Sequence, residues 1–194
     1  MNPNPTLKTL ALAFEYPRQG SLGVLWEQTH SLPYTPAKLH LERFLKAVSQ
    51  LKLSEREELH TRTLDLSPLF APYVGFAVYG EDYRRGAFMA ALNREMQGLG
   101  LELRGELPDH LAVVLNYLAL APEPLPELME LLEPALAAMC KTLKTMEPDN
   151  PYLHLLEAVR QAVRELPKAK AQDQAQRSPW PSLGAQSSPG GGIR

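Results

Sequence analysis

The chain has 194 residues, 44% hydrophobic and 7% aromatic, with 20 Lys and Arg against 22 Asp and Glu for a formal net charge of −2. That length fits one domain, and the charge balance excludes a nucleic-acid binder that works through a large basic excess. Four of the basic groups but only one of the acids lie beyond residue 166, so the first 166 residues are acidic, at −5, and the rest basic, at +3.

Helix signals recur from the start of the chain. Asn4-Pro5 precedes Leu7, Leu10, Ala11 and Phe14 at helical spacing, and Thr35-Pro36 precedes Leu41, Phe44, Leu45, Val48 and Leu51. Each pair sets a side-chain acceptor at the N-cap and a proline at N1, where the missing N–H costs nothing. Ser54 with Glu57 predicts a capping box and a helix to about Leu66. The uncharged stretch Leu66 to Gly80 is too short to span a bilayer and is interrupted by Pro68, Pro72 and Gly75. Its aromatic part reads as a buried helix and a capped turn, with Asp82 as N-cap of the next helix.

That next helix is predicted over Tyr83 to Gln97, with Phe88, Leu92 and Met96 on one face and Gly98 and Gly100 ending it. Asp109 is expected to cap a helix that is apolar nearly all round (Leu111, Val113, Val114, Leu115, Leu118, Leu120), as suits the middle of a bundle. Pro124 to Met146 is helical, divided or bent near Pro134. Asn150-Pro151 repeats the first start signal ahead of Tyr152, Leu155, Leu156, Val159, Val163 and Leu166. No stretch alternates with period two. The expectation is an all-α protein, a single-domain helical bundle over residues 1–166.

Residues 167–194 contain four each of Pro, Gly, Ser and Gln, with Trp180, Leu183 and Ile193 as their large apolar residues. Such a segment cannot bury enough surface to offset its ordering entropy, so a disordered basic tail is expected. The opening Met-Asn-Pro-Asn-Pro lacks the basic and apolar regions of a signal peptide, which points to the cytoplasm. The single cysteine, Cys140, excludes an intrachain disulfide framework and reads as a small core residue beside Leu136, Met139 and Leu143.

Catalytic signatures are missing. The sequence has no Gly-x-Gly-x-x-Gly, no phosphate loop and no Gly-x-Ser-x-Gly, and its five histidines are far apart with no pair at metal-ligand spacing. A binding or assembly protein therefore outranks a small helical enzyme, and no cofactor or metal of the chain's own is expected. Two segments exceed routine packing: Tyr73 to Gly86, which joins an aromatic stretch to a charged loop between glycines, and Glu106-Leu107-Pro108-Asp109-His110-Leu111.

With Phe14-Glu15-Tyr16-Pro17, Arg85-Gly86, the Gly98/Gly100 helix end and Leu115-x-Tyr117-Leu118, these segments resemble the nitrate reductase delta-subunit family, the molybdenum-enzyme assembly chaperones. The resemblance covers roughly residues 7 to 160 and departs at the short basic end. It implies an all-helical chaperone that binds the N-terminal leader of the apo catalytic (alpha) subunit of respiratory nitrate reductase. Such a chaperone keeps its client competent for molybdenum cofactor insertion before membrane attachment, and contact with the cofactor-loading machinery is a further partner left open. The alternative within the same class is a chaperone for a trimethylamine-oxide or dimethyl-sulfoxide reductase. Neither nucleic acid nor direct membrane insertion enters this reading.

The resemblance associates leader binding with Pro108, Asp109 and His110. A basic, amphipathic leader also calls for an apolar groove and carboxylates. Tyr73, Phe76, Tyr79 and Tyr117 are the candidate rings, and Glu81, Asp82 and Glu106 join Asp109 as candidate anions, with Glu102 nearby.

Overall fold

A computed structural model of the chain describes residues 3–65, 70–103 and 105–166, and the expected disordered tail lies outside them. Among the described residues there are nine α-helices and no strand: α1 (Pro5–Ala13), α2 (Ser21–Ser31), α3 (Pro36–Val48), α4 (Leu53–His60), α5 (Val74–Tyr79), α6 (Arg84–Gly98), α7 (Leu111–Leu120), α8 (Pro126–Met146) and α9 (Tyr152–Arg164). The all-α expectation holds.

Two of the three start signals act as expected: the Asn4 side chain accepts from the amides of Thr6 and Leu7, and Thr35 Oγ1 accepts from Lys38. At the third, α9 begins one residue later than predicted, with Pro151 at the N-cap, while Asn150 Oδ1 accepts from the Tyr152 amide at 2.9 Å. Helix α7 is buried through Leu111, Val113, Val114, Leu115, Tyr117, Leu118 and Ala119 and packs on α1, as a helix apolar on most sides must. Helix α9 packs on α3 and α8, and α5 packs on α8. One core joins them, from Leu7 and Leu10 through Leu41 and Leu45 to Leu155 and Val159.

Several local expectations are corrected. The helix start predicted at Ser54 falls two residues earlier: the Glu55 carboxylate accepts from the Lys52 amide at 2.6 Å, and α4 begins at Leu53. Helix α4 does not run on as α helix to Leu66 but passes at Thr61–Asp65 into a π turn. Helix α2 was not foreseen, because it buries only Leu25 and Thr29 and so carries little apolar periodicity. Gly98 lies inside α6, and Gly100, at φ +66°, makes the end. There the Gly100 and Leu101 amides donate back to Gln97 and Met96 at 3.0 and 2.9 Å, a Schellman motif.

Helix α8 is undivided. Pro134 is exposed on its outer side. Helix α5 buries only Val74 and Gly75 rather than its whole length, and Phe76 and Val78 face outward. Cys140 is half-buried against the core, and burial pushes its thiol up to about 11.

Candidate functional site

The two segments singled out in the sequence meet at one place. Leu107-Pro108-Asp109-His110 is a tight turn closed by the His110 amide donating to Leu107 at 3.0 Å, with proline at the second position, where its fixed φ fits. The turn is stitched to the chain before α5 by an antiparallel bridge between Tyr73 and His110. Val74 N–H donates to the Asp109 carbonyl at 2.8 Å, and Leu111 N–H to the Pro72 carbonyl at 2.7 Å.

This stitch turns the Asp109 side chain inward. The carboxylate has 0% exposure and accepts from Arg85 through both oxygens, at 2.9 Å from Nε and 3.3 Å from Nη2. The sequence expectation that Asp109 caps α7 is therefore corrected: the N-cap residue is His110, with no side-chain cap bond, and Asp109 spends its acceptors on Arg85. Gly75 makes room for the pair. A Cβ there would stand 2.8 Å from Asp109 Oδ2, 3.0 Å from the Phe88 ring and 3.1 Å from Arg85 Cγ.

Arg85 in turn organises aromatic surface. Its guanidinium carbon lies 5.4 Å from the ring centroids of both Tyr73 and Phe76, within cation–π range. The His110 ring meets Tyr73 edge-on at 5.3 Å, and its Nδ1 is buried without a partner among the described residues. Burial lowers the His110 pKa from the ordinary histidine value, although Glu106, Asp109 and Asp65 pull the other way. The Tyr73 phenol is raised, by burial first and then by Glu106 and Asp109. Glu106 itself is exposed at the edge of the turn.

The far end of α5 carries a second group. Tyr79 donates its hydroxyl to Glu127 of α8 at 3.0 Å, and the Arg84 guanidinium carbon lies 5.1 Å from the Tyr79 ring centroid. Asp82 accepts from the Arg84 amide at 2.9 Å and pairs with its side chain at 3.1 Å, but the N-cap residue of α6 is Tyr83, without a side-chain cap bond, rather than Asp82 as the sequence predicts. Glu81 is exposed beside it, after Gly80 turns the chain at φ +60°.

Of the ten candidate residues, Tyr73, Phe76, Pro108, Asp109 and His110 form one cluster, and Glu106 borders it. Tyr79, Glu81 and Asp82 sit at the other end of the same short helix. Tyr117 joins neither. It is fully buried, and its hydroxyl accepts from the Leu125 amide at 2.9 Å, so it fastens the loop between α7 and α8. The solvent-facing part of the patch is Phe76 (37% exposed), Val78 (38%), Tyr83 (79%) and Leu107 (44%).

A neighbouring network escaped the sequence reading. His60 is buried, shares a hydrogen bond with the Tyr152 hydroxyl at 3.0 Å from Nδ1, and has Tyr16 edge-on at 5.3 Å and Asp65 at 3.8 Å. Two of these three partners, Tyr16 and Tyr152, come from distant parts of the chain, and no spacing in the sequence could announce them. Tyr16 and Pro17 of the early motif also line a small cavity of about 90 Å³ with Leu25, Phe44 and Arg56.

The arrangement offers rings and acids for binding. Among the described residues no group of three or more His, Cys, Asp or Glu is placed to hold a metal ion, and no helix is long and apolar enough to cross a membrane.

No curated protein matches the chain. The family model described as nitrate reductase delta subunit matches residues 31–155, well over half of the chain and the whole of the cluster just described. Phe14 to Pro17 lies before the match. That family is the assembly chaperone family for nitrate reductase, acting on the catalytic subunit of a molybdoenzyme rather than catalysing a reaction itself. With its all-helical body and its matched central residues, this chain belongs to the nitrate reductase delta-subunit family.

Proposed function

We propose that the protein binds the N-terminal leader of the apo catalytic subunit of respiratory nitrate reductase on the outer face of α5 and the adjoining turns. It thereby holds its client, in the cytoplasm, competent for molybdenum cofactor insertion until the client joins its membrane partner. The cofactor belongs to the client and meets the chaperone only in their complex.

The observation that carries this reading is Arg85. Its pairing with Asp109 fixes a cation between Tyr73 and Phe76, so that apolar surface is held out toward solvent in rigid form. Preorganised rings lose little entropy on binding. Around them, residues 73–127 carry eight acids and four arginines with no lysine, and Arg84 and Arg85 are each matched by an aspartate. A short basic amphipathic helix suits such a face: its apolar side lies on Phe76 and Val78, and its cations meet Glu81 and Glu106.

Calorimetric titration with a synthetic leader peptide tests this. Phe76→Ser should weaken binding by about tenfold, the scale of a central aromatic contact. Glu106→Gln should weaken it less and flatten its dependence on salt, because the charges it removes are exposed and screened. Leader affinity unchanged in both variants would move the site elsewhere.

A further inference from the structure

The aromatic face of α5 lies close to where the described chain ends. Arg164, in the last turn of α9, pairs with Glu133 of α8 at 2.7 Å. Glu127, six residues earlier on α8, accepts the Tyr79 hydroxyl. Six helical residues span about 9 Å, so the chain leaves α9 roughly two turns of α8 away from the outer end of α5.

The sequence that follows has the chemistry this face accepts. Residues 167–183 contain Lys168, Lys170 and Arg177 against the single acid Asp173, then Trp180 and Leu183. From Leu166 to Trp180 is fourteen residues, up to about 45–50 Å of extended chain, several times the distance to be covered. A segment too polar to form its own core can still order on a surface that supplies the apolar area. Tethering places it there at an effective concentration on the order of millimolar.

We infer that residues 168–183 occupy the α5 face of their own chain when no client is bound, with Trp180 against Phe76 and Val78 and the basic residues facing Glu81, Glu106 and Glu127. The tail is then a built-in competitor that a client leader must displace. This rests on the leader-binding reading for its purpose but not for its detection.

The sequence has two tryptophans, Trp26 and Trp180, so full-length Trp26→Phe leaves Trp180 as the reporter. Trp180 emission should be blue-shifted relative to the denatured chain, independent of protein concentration, and should move to the red in Phe76→Ser/Glu106→Gln. Emission of a fully solvated indole, or a blue shift that the double variant leaves unchanged, would overturn the inference. A blue shift that disappears on dilution would overturn it in favour of a second copy.

Should either variant fail to fold, zero-length carbodiimide coupling of the unaltered chain decides. Mixed ¹⁴N and ¹⁵N protein should yield intrachain links from Lys168 or Lys170 to Glu81, Glu106 or Glu127. Interchain links alone, or none, would defeat the proposal.

A tryptophan-free leader peptide separates the two claims. If it drives Trp180 to the red, the tail competes as stated. If it binds a chain whose Trp180 was solvated from the outset, the tail inference falls and the leader reading stands. If Trp180 is shielded on this face and the peptide fails to bind even Lys168→Glu/Lys170→Glu/Arg177→Glu, the leader reading falls and the tail inference stands.

Discussion

Asp109 has no exposed surface, and both of its oxygens are taken by the guanidinium of Arg85, whose side chain is 19% exposed. Removing one partner of such a pair leaves the other desolvated and unmatched, which costs more than a lost surface ion pair. Asp109→Asn keeps the shape but sets an NH2 group where an acceptor is needed. It should lower stability by about 2 kcal/mol in urea denaturation, and Arg85→Met/Asp109→Leu should recover part of that loss. Were Asp109 a helix cap, Asn would be nearly neutral, since the two rank alike at that position. Gly75 shows the same tightness from the other side, because no side chain fits between the pair and Phe88. The leader-site hypothesis therefore needs Asp109 as the residue that aims Arg85, while Phe76 and Glu106 make the contact.

At the scale of elements, caps set the boundaries more sharply than periodicity does. Gly100 at φ +66° allows the two backward hydrogen bonds that close α6, and Gly100→Ala should cost about 1 kcal/mol, the strain of a Cβ in that region. The thermal midpoint would read it. Helices α1 and α3 are legible in the sequence through both a side-chain cap and an apolar stripe, whereas α6, α7, α8 and α9 are legible through their apolar residues and the Pro and Gly residues that bound them. Helix α2 was illegible because Gly20 caps without a side chain and the helix turns only Leu25 and Thr29 fully inward. Asn4 and Thr35 are legible as caps because an N-cap bond is local. Asp109 was misread because its partner, Arg85, is 24 residues away and only the fold supplies it. The candidate site was legible as two segments, but their joining through the Tyr73–His110 bridge was not.

The molecule as a whole carries four histidines whose burial disfavours the charged form: His40, His60, His110 and His154. In each, the folded pKa lies below the ordinary 6.5, so the unfolded chain takes up protons first as pH falls. The stability these groups contribute is fully present above about pH 6.5 and declines below it. Thermal midpoints should fall between pH 6.5 and 5, before the range in which ordinary carboxylates titrate, and His60→Gln should flatten that acid limb. The same burial sets the chain's redox temper. With its thiol held near 11, Cys140 is about one part in ten thousand thiolate at neutral pH, some hundredfold less than an ordinary cysteine. Burial of the protein's single thiol thus slows its reaction with peroxide and its disulfide exchange.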